Sequence, residues 1–193
     1  MGFVCVDCDG VLLNMLEAIK EYLEKRGKPF YPNNVIRYNF EGDIGCKKSD
    51  VFNSLYDIEL YKTQELYSNA MLALNKLFYS SIDVRAYTSS VSVKSIINYR
   101  KDFCKKIGLK GNIYLGKKPV ILEADALFDD CLGVHKDWID AGYKGTLYLI
   151  DAPYNSEKHN KDFPYFNRVI RCKDFNDAVN KYVEKLKYFT EVV

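Results

Sequence analysis

The period of the hydrophobic pattern changes along the chain, and those changes mark its elements. Phe3-Val4-Cys5-Val6 is a short apolar run that stops at Asp7, which predicts a buried strand. Over residues 12–26 the apolar positions Leu12, Leu16, Ile19 and Leu23 recur at helical spacing, and Gly27 follows them. That predicts an amphipathic helix with a glycine stop. Residues 28–60 carry Pro29, Pro32, Gly42 and Gly45 among Phe30, Tyr31, Tyr38, Phe40, Phe52 and Tyr56, a pattern of loops and short helices. A longer helix is expected over about 64–79, with Leu66, Ala70, Leu74 and Leu77 on one face.

From Ile82 onward strands and helices alternate. Ile82–Tyr87 predicts a strand that leaves through Thr88-Ser89-Ser90. Val93, Ile96, Ile97, Phe103 and Ile107 mark a helix ended by Gly108, and Val134–Ala141 a short one ended by Gly142. Further strands are expected at Asn112–Leu115, Asp125–Phe128, Thr146–Ile150 and Arg168–Arg171. Asp174 is the expected N-cap of a last helix that turns Phe175, Ala178, Val179, Tyr182, Val183 and Leu186 inward. Short strands alternating with helices predict an α/β fold, a parallel sheet with helices on both faces. Residues 14–80 hold helices without a strand, so they are expected to form a small helical cap inserted after the first strand. Residues 1–13 and 81–193 then make the core domain.

Composition narrows the class. The 193 residues are 48% hydrophobic and 28% charged, the balance of a soluble globular protein. A net charge of +2 argues against a broad basic face and hence against nucleic acid as a partner. No apolar run has the length of a membrane span, and no signal-peptide pattern opens the chain. Six cysteines are scattered, with Cys5 and Cys8 the one tight pair. A redox pair or half a zinc site could carry that spacing, but Cys5 lies inside an apolar run and no second cluster completes a zinc tetrad. Reduced, structural cysteines and a cytoplasmic location are the expectation. A homodimer is compatible with everything above.

The strand ends carry the chemistry, because ligands of such sheets bind there. The first strand ends in Asp7-Cys8-Asp9-Gly10-Val11, the second in Thr88-Ser89-Ser90, and Asp125–Phe128 in Asp129-Asp130. Gly116-Lys117-Lys118-Pro119 stands just before that last strand. Gly10 permits the turn that would aim Asp7 and Asp9 at one point. Converging carboxylates raise one another's pKa unless a cation neutralises them, and Mg²⁺ is the natural hard, oxygen-seeking choice. Hydroxyls with free backbone N–H groups suit a phosphate, and a lysine balances its charge. Each piece has a plainer use: Thr88-Ser89-Ser90 as a helix cap, Lys117-Lys118 as a solvated turn, and the aromatics of 38–56 as cap core.

Taken in order, these pieces resemble the haloacid dehalogenase-like (HAD) superfamily. Asp7-Cys8-Asp9-Gly10-Val11 is similar to its D-x-D-G-V signature, Tyr87-Thr88-Ser89 to its second motif, Lys118-Pro119 to its third and Asp125–Asp130 to its acidic fourth. A small cap directly after the first motif, together with Ile150-Asp151-Ala152-Pro153-Tyr154-Asn155, resembles the 5'(3')-deoxyribonucleotidase family. The resemblance implies Mg²⁺-dependent hydrolysis of nucleoside monophosphates, a small-molecule substrate, and no nucleic-acid or membrane partner. A phosphatase of another small monoester, such as a sugar phosphate, is the alternative. By the same resemblance Asp7 would be the nucleophile and a metal ligand. Asp9 would be the general acid and then base, touching the metal through its backbone carbonyl. Thr88, Ser89 and Lys118 would hold the phosphate, and Asp130 would bind the metal with Asp129 supporting it. Two departures stand out: Cys131 replaces a basic residue common after the Asp pair, and Lys117 competes with Lys118 for the clamp.

Overall fold

A computed structural model describes residues 2–191. Six parallel strands form one sheet: β1 (Phe3–Val6), β2 (Asp83–Ser90), β3 (Lys110–Leu115), β4 (Ala126–Asp129), β5 (Thr146–Ile150) and β6 (Ile170–Cys172). Their order is β3-β2-β1-β4-β5-β6, with Val4 opposite both Val84 and Ala126. The expected α/β architecture is therefore observed. Seven α-helices accompany the sheet among the described residues: α1 (Met15–Glu24), α2 (Lys48–Ser54), α3 (Ile58–Lys62), α4 (Ala70–Tyr79), α5 (Lys94–Lys106), α6 (Leu132–Asp140) and α7 (Phe175–Glu191).

Strand alternation sorts the core into two faces. Val4, Val6, Val84, Ala86, Phe128 and Tyr148 pack against α4 and α7 on one side. Cys5, Tyr87, Leu127 and Leu149 pack against Trp138 of α6 on the other. Cys5 therefore shares no face with Cys8, which lies in the first cluster, and the C-x-x-C spacing joins nothing. All six cysteines are free.

A third cluster (Ala18, Ile19, Leu23, Phe30, Val51, Leu60 and Tyr61 among its members) joins α1, α2 and α3. Helix α4 does not belong to it. Ala70, Ala73, Leu74 and Leu77 pack into the sheet's own cluster, because that apolar stripe faces β2 and α7. The expected helix over 64–79 starts only at Ala70, since Leu66 instead bridges to Leu13 in antiparallel fashion. Within the expected cap of residues 14–80, α4 thus packs with the sheet, whereas α1–α3 share a cluster that also takes in Ile96 and Tyr154. Asn14 N–H donates to Glu65 O at 3.0 Å and Tyr67 N–H to Leu12 O at 2.9 Å, so the chain enters and leaves this segment side by side.

Other differences are local. Thr88-Ser89-Ser90 stay in the ladder opposite Ile113, Tyr114 and Leu115, and α5 is capped at Val93 without a side-chain bond, so the hydroxyls cap no helix. Asp174 does cap α7, accepting from Asp177 N–H at 2.8 Å. Leu186, expected inward, is exposed near the end of that helix.

Candidate active site

Strands β2 and β3 extend the sheet to one side of β1, and β4 starts the other side, so the strand order reverses at β1. In open parallel sheets that reversal opens a crevice at the carboxyl ends of the strands. Asp7 leaves β1 there, its N–H bonded to Phe128 O at 3.0 Å, and Asp129 and Asp130 leave β4 beside it. One carboxylate oxygen from each of Asp7, Asp129 and Asp130 lies within 4.8 Å of the others, and all three residues are buried.

Lys118 is the lysine that enters this cluster. Its Nζ lies 2.9 Å from Asp7 Oδ2 and 2.6 Å from Asp129 Oδ2. Lys117 points away from it, its Nζ 2.8 Å from Asp137 Oδ2. The turn is anchored from below: Trp138 Nε1–H donates to Tyr87 Oη at 2.9 Å, and Tyr87 Oη–H donates to Pro119 O at 2.6 Å. Both rings are fully buried, so each spends its polar handle on holding the turn that carries Lys118.

The electrostatics follow from crowding. Burial pushes the Asp7 carboxyl up to about 6; Lys118 opposes this, and Asp129 and Asp9 add to it. Burial, then Asp129 and Asp7, also drives Asp130 well above the usual carboxylate range. Burial works against the charge of Lys118, but Asp129 and Asp7 outweigh it and hold the ammonium well above its ordinary pKa. One ammonium cannot balance three buried carboxylates. A divalent cation can, and an all-carboxylate donor set suits a hard one. The residues present therefore fit such a cation.

The remaining groups orient these. Asp129 takes Lys118 on Oδ2 at 2.6 Å and the Cys131 N–H on Oδ1 at 2.8 Å. Asp130 accepts from the Tyr154 hydroxyl, and Asn155 Nδ2 donates to Asp130 O at 2.9 Å and Ile150 O at 2.7 Å. Cys131, standing where a basic residue was expected, is the N-cap of α6, and burial pushes its thiol up to about 12. Thr88 is buried beside the site, and Ser89 lines the cavity above it.

Asp9 stands apart. Its Oδ2 accepts from Arg100 Nη2 and its Oδ1 from Gln64 Nε2 at 2.8 Å, so its carboxylate is not in the acidic cluster. The expected side-chain group of Asp7, Asp130 and supporting Asp129 is thus brought together, and only a backbone contact is left for Asp9. Arg100 and Gln64 were not foreseen. Arg100 did leave a signal, a charge at the middle of the buried stripe Ile96-Arg100-Cys104; Gln64 left none.

A cavity of about 450 Å³ opens on this floor, reached by Asp9, Ser89 and Asp130. Its walls are aromatic, with Tyr38, Phe40, Phe52, Tyr61, Tyr67 and Tyr154 facing it. Tyr38 meets Tyr154 edge-on at 5.5 Å between centroids, and Phe40 meets Phe52 at 5.6 Å. Phe40 holds φ at +59°, a left-handed conformation costly for a bulky side chain.

No family profile matches the sequence, and no curated protein does. Solved structures do match. A predicted phosphatase from Clostridium acetobutylicum superposes with a TM-score of 0.60 at 12% identity, covering 95% of this chain and 98% of that one. A HAD family hydrolase from Deinococcus radiodurans R1, with bound phosphate and sodium, gives 0.53 at 13% identity over 89% and 90% of the two chains. The chain has the HAD-like fold. A D,D-heptose 1,7-bisphosphate phosphatase from B. bronchiseptica, complexed with magnesium and phosphate, shares that fold with a TM-score of 0.52 at 10% identity, over 96% of this chain and 99% of that one. In this HAD-like frame the four motifs fall at adjoining strand ends, and the α1–α3 segment roofs the cavity.

Proposed function

We propose that the protein is a Mg²⁺-dependent phosphatase of nucleoside monophosphates that works through an aspartyl-phosphate on Asp7. The observation that carries this reading is an aromatic cavity of ligand size directly above a buried Asp/Lys cluster. Flat aromatic walls suit a nucleobase better than the hydroxyl-rich face of a sugar.

In this reading an Asp7 oxygen attacks phosphorus while the ester P–O bond breaks. Asp9 gives its proton to the departing sugar oxygen, then takes one from the water that cleaves the acyl-phosphate. Lys118 and the hydroxyls of Thr88 and Ser89 hold the phosphoryl oxygens. Asp7 and Asp130 would hold Mg²⁺, with Asp129 securing Lys118 behind them; the bound ion would supply positive charge for the phosphoryl oxygens.

A panel of deoxynucleotides, ribonucleotides and sugar phosphates tests the reading. Phosphate release that requires Mg²⁺ and favours one nucleotide at least tenfold, about 1.4 kcal/mol of discrimination, is expected. A tenfold preference for sugar phosphates instead would assign the site to the other class, in line with the heptose bisphosphate phosphatase that shares the fold. Asp7→Asn is expected to be inactive on every substrate.

A further inference from the structure

Arg100 is the least expected residue near the site. It is 1% exposed, in the middle of α5, on a stripe otherwise made of Ile96 and Cys104. Its guanidinium lies 4.8 Å over the Tyr61 ring, and its Nη2 donates to Asp9 Oδ2. Its Nε and Nη1 are buried without a partner. A charge buried with a single carboxylate and two idle donors is a poor way to hold a fold together, since apolar side chains of equal volume usually do it as well or better. Burial works against its charge, yet Asp9 outweighs that and holds it protonated.

The second donor to Asp9 comes from the roof segment. Gln64 follows α3, and its Nε2 takes Asp9 Oδ1 at 2.8 Å, while its own Oε1 is buried without a partner. Each oxygen of Asp9 is therefore assigned, one to the core helix and one to the roof. The result is visible in the acidic cluster. Asp7, Asp129 and Asp130 converge, whereas Asp9, two residues from Asp7, is drawn out of the group toward the cavity it lines.

We propose that Arg100, with Gln64, is the positioning residue for Asp9, holding its carboxylate off the cation cluster and at the leaving-group side of the cavity. This rests on the phosphatase reading and adds to it what fixes Asp9 in place. Arg100 and Gln64 each take one lone pair of an Asp9 oxygen, which leaves the other lone pairs free to carry the proton that Asp9 exchanges with the leaving group. No bond beyond those of the proposed reaction is made or broken; Arg100 acts only through Asp9.

The leaving group separates this role from a structural one. A p-nitrophenyl ester departs as a stable phenolate and needs no proton, whereas a sugar alkoxide does. The full-length protein with Mg²⁺ is assayed for kcat/KM on p-nitrophenyl phosphate and on its best nucleotide, because kcat/KM reports the step in which the ester bond breaks. Arg100→Met is expected to lower kcat/KM for the nucleotide about a hundredfold, the usual scale of a general acid. On p-nitrophenyl phosphate the loss is expected to stay under about fivefold. Arg100→Lys is expected to recover part of the nucleotide rate, and Gln64→Leu to show the same split at smaller size. An equal loss on both substrates, or no loss on either, overturns the proposal. Where Arg100→Met does not fold, Arg100→Lys and Gln64→Leu carry the same comparison with the same two outcomes. A wild-type protein without Mg²⁺-dependent activity on either ester overturns the phosphatase reading itself, and this proposal with it.

Discussion

Gly10 has no room for a side chain. Its φ is +78°, and a Cβ there would fall 1.8 Å from Asp130 Oδ2 and 2.8 Å from the Tyr154 hydroxyl. Gly10→Ala must therefore move Asp130 or the motif loop. The expected outcome is a loss of about 1–3 kcal/mol in urea unfolding with at least a tenfold drop in kcat/KM. Asp7 gives a prediction of opposite sign. Its carboxyl is raised from 3.8 to about 6, so the folded metal-free protein holds a proton there that the unfolded chain has released. The stability from this group is full below about pH 4 and is lost as the pH rises through about 6. Asp7→Asn, neutral at every pH, is expected to raise metal-free stability at pH 7.5 by about 1–3 kcal/mol while abolishing activity. Urea titrations at pH 5 and 7.5 check this, since the wild type should gain on acidification relative to the variant. At this scale much was legible: Asp7, Asp9, Asp129 and Asp130 announce themselves in short motifs at strand ends. Lys118 over Lys117 was not, because the direction of that turn is set by Tyr87 and Trp138, far off in sequence.

The elements show where periodicity suffices and where it fails. Strand β5 matches its expected span of Thr146–Ile150, since a continuous apolar run between polar flanks has one good use in a parallel sheet. Residues 64–69 read as the first turns of α4 because Leu66 falls in phase with Ala70. The backbone instead bonds across to Leu12 and Asn14, a contact that no local pattern encodes. Helix α5 hid its functional face the same way, since Arg100 sits on a stripe whose neighbours are apolar. Packing predicts different costs for two leucines that are both fully buried. Leu74→Ala, in the sheet's own cluster, is expected to cost about 2–5 kcal/mol of global stability with KM little changed. Leu60→Ala, in the α1–α3 cluster next to Tyr61, is expected to raise KM several-fold. Denaturant unfolding and steady-state kinetics on the two variants check the contrast.

For the whole molecule, the net charge of +2 conceals a concentrated acidic centre. A cation that binds only the folded chain stabilises it by mass action, by about 2.7 kcal/mol at a hundred times its Kd. Millimolar Mg²⁺ is expected to raise the midpoint of thermal unfolding, and EDTA to reverse the rise. Asp130→Asn should remove most of that response. A midpoint indifferent to Mg²⁺ would contradict the assignment of the cluster to a cation.

The paired crossings at Leu12–Asn14 and Glu65–Tyr67 have a consequence for how such a protein can change. To the sheet, everything between them is one loop whose ends are already pinned together. Doubling the length of such a loop costs only about 0.6 kcal/mol in closure entropy. Tyr38, Phe40, Phe52 and Tyr61 lie in that loop, whereas Asp7, Lys118, Asp129 and Asp130 lie outside it. The stretch around Tyr38, Phe40 and Phe52 can be lengthened or shortened while the acidic floor stays as it is, whereas Gln64 at the loop's end is tied to Asp9. Most of the aromatic wall and the acidic floor are thus written in separate stretches of the chain, free to drift at different rates, with Gln64 the point where the two are tied.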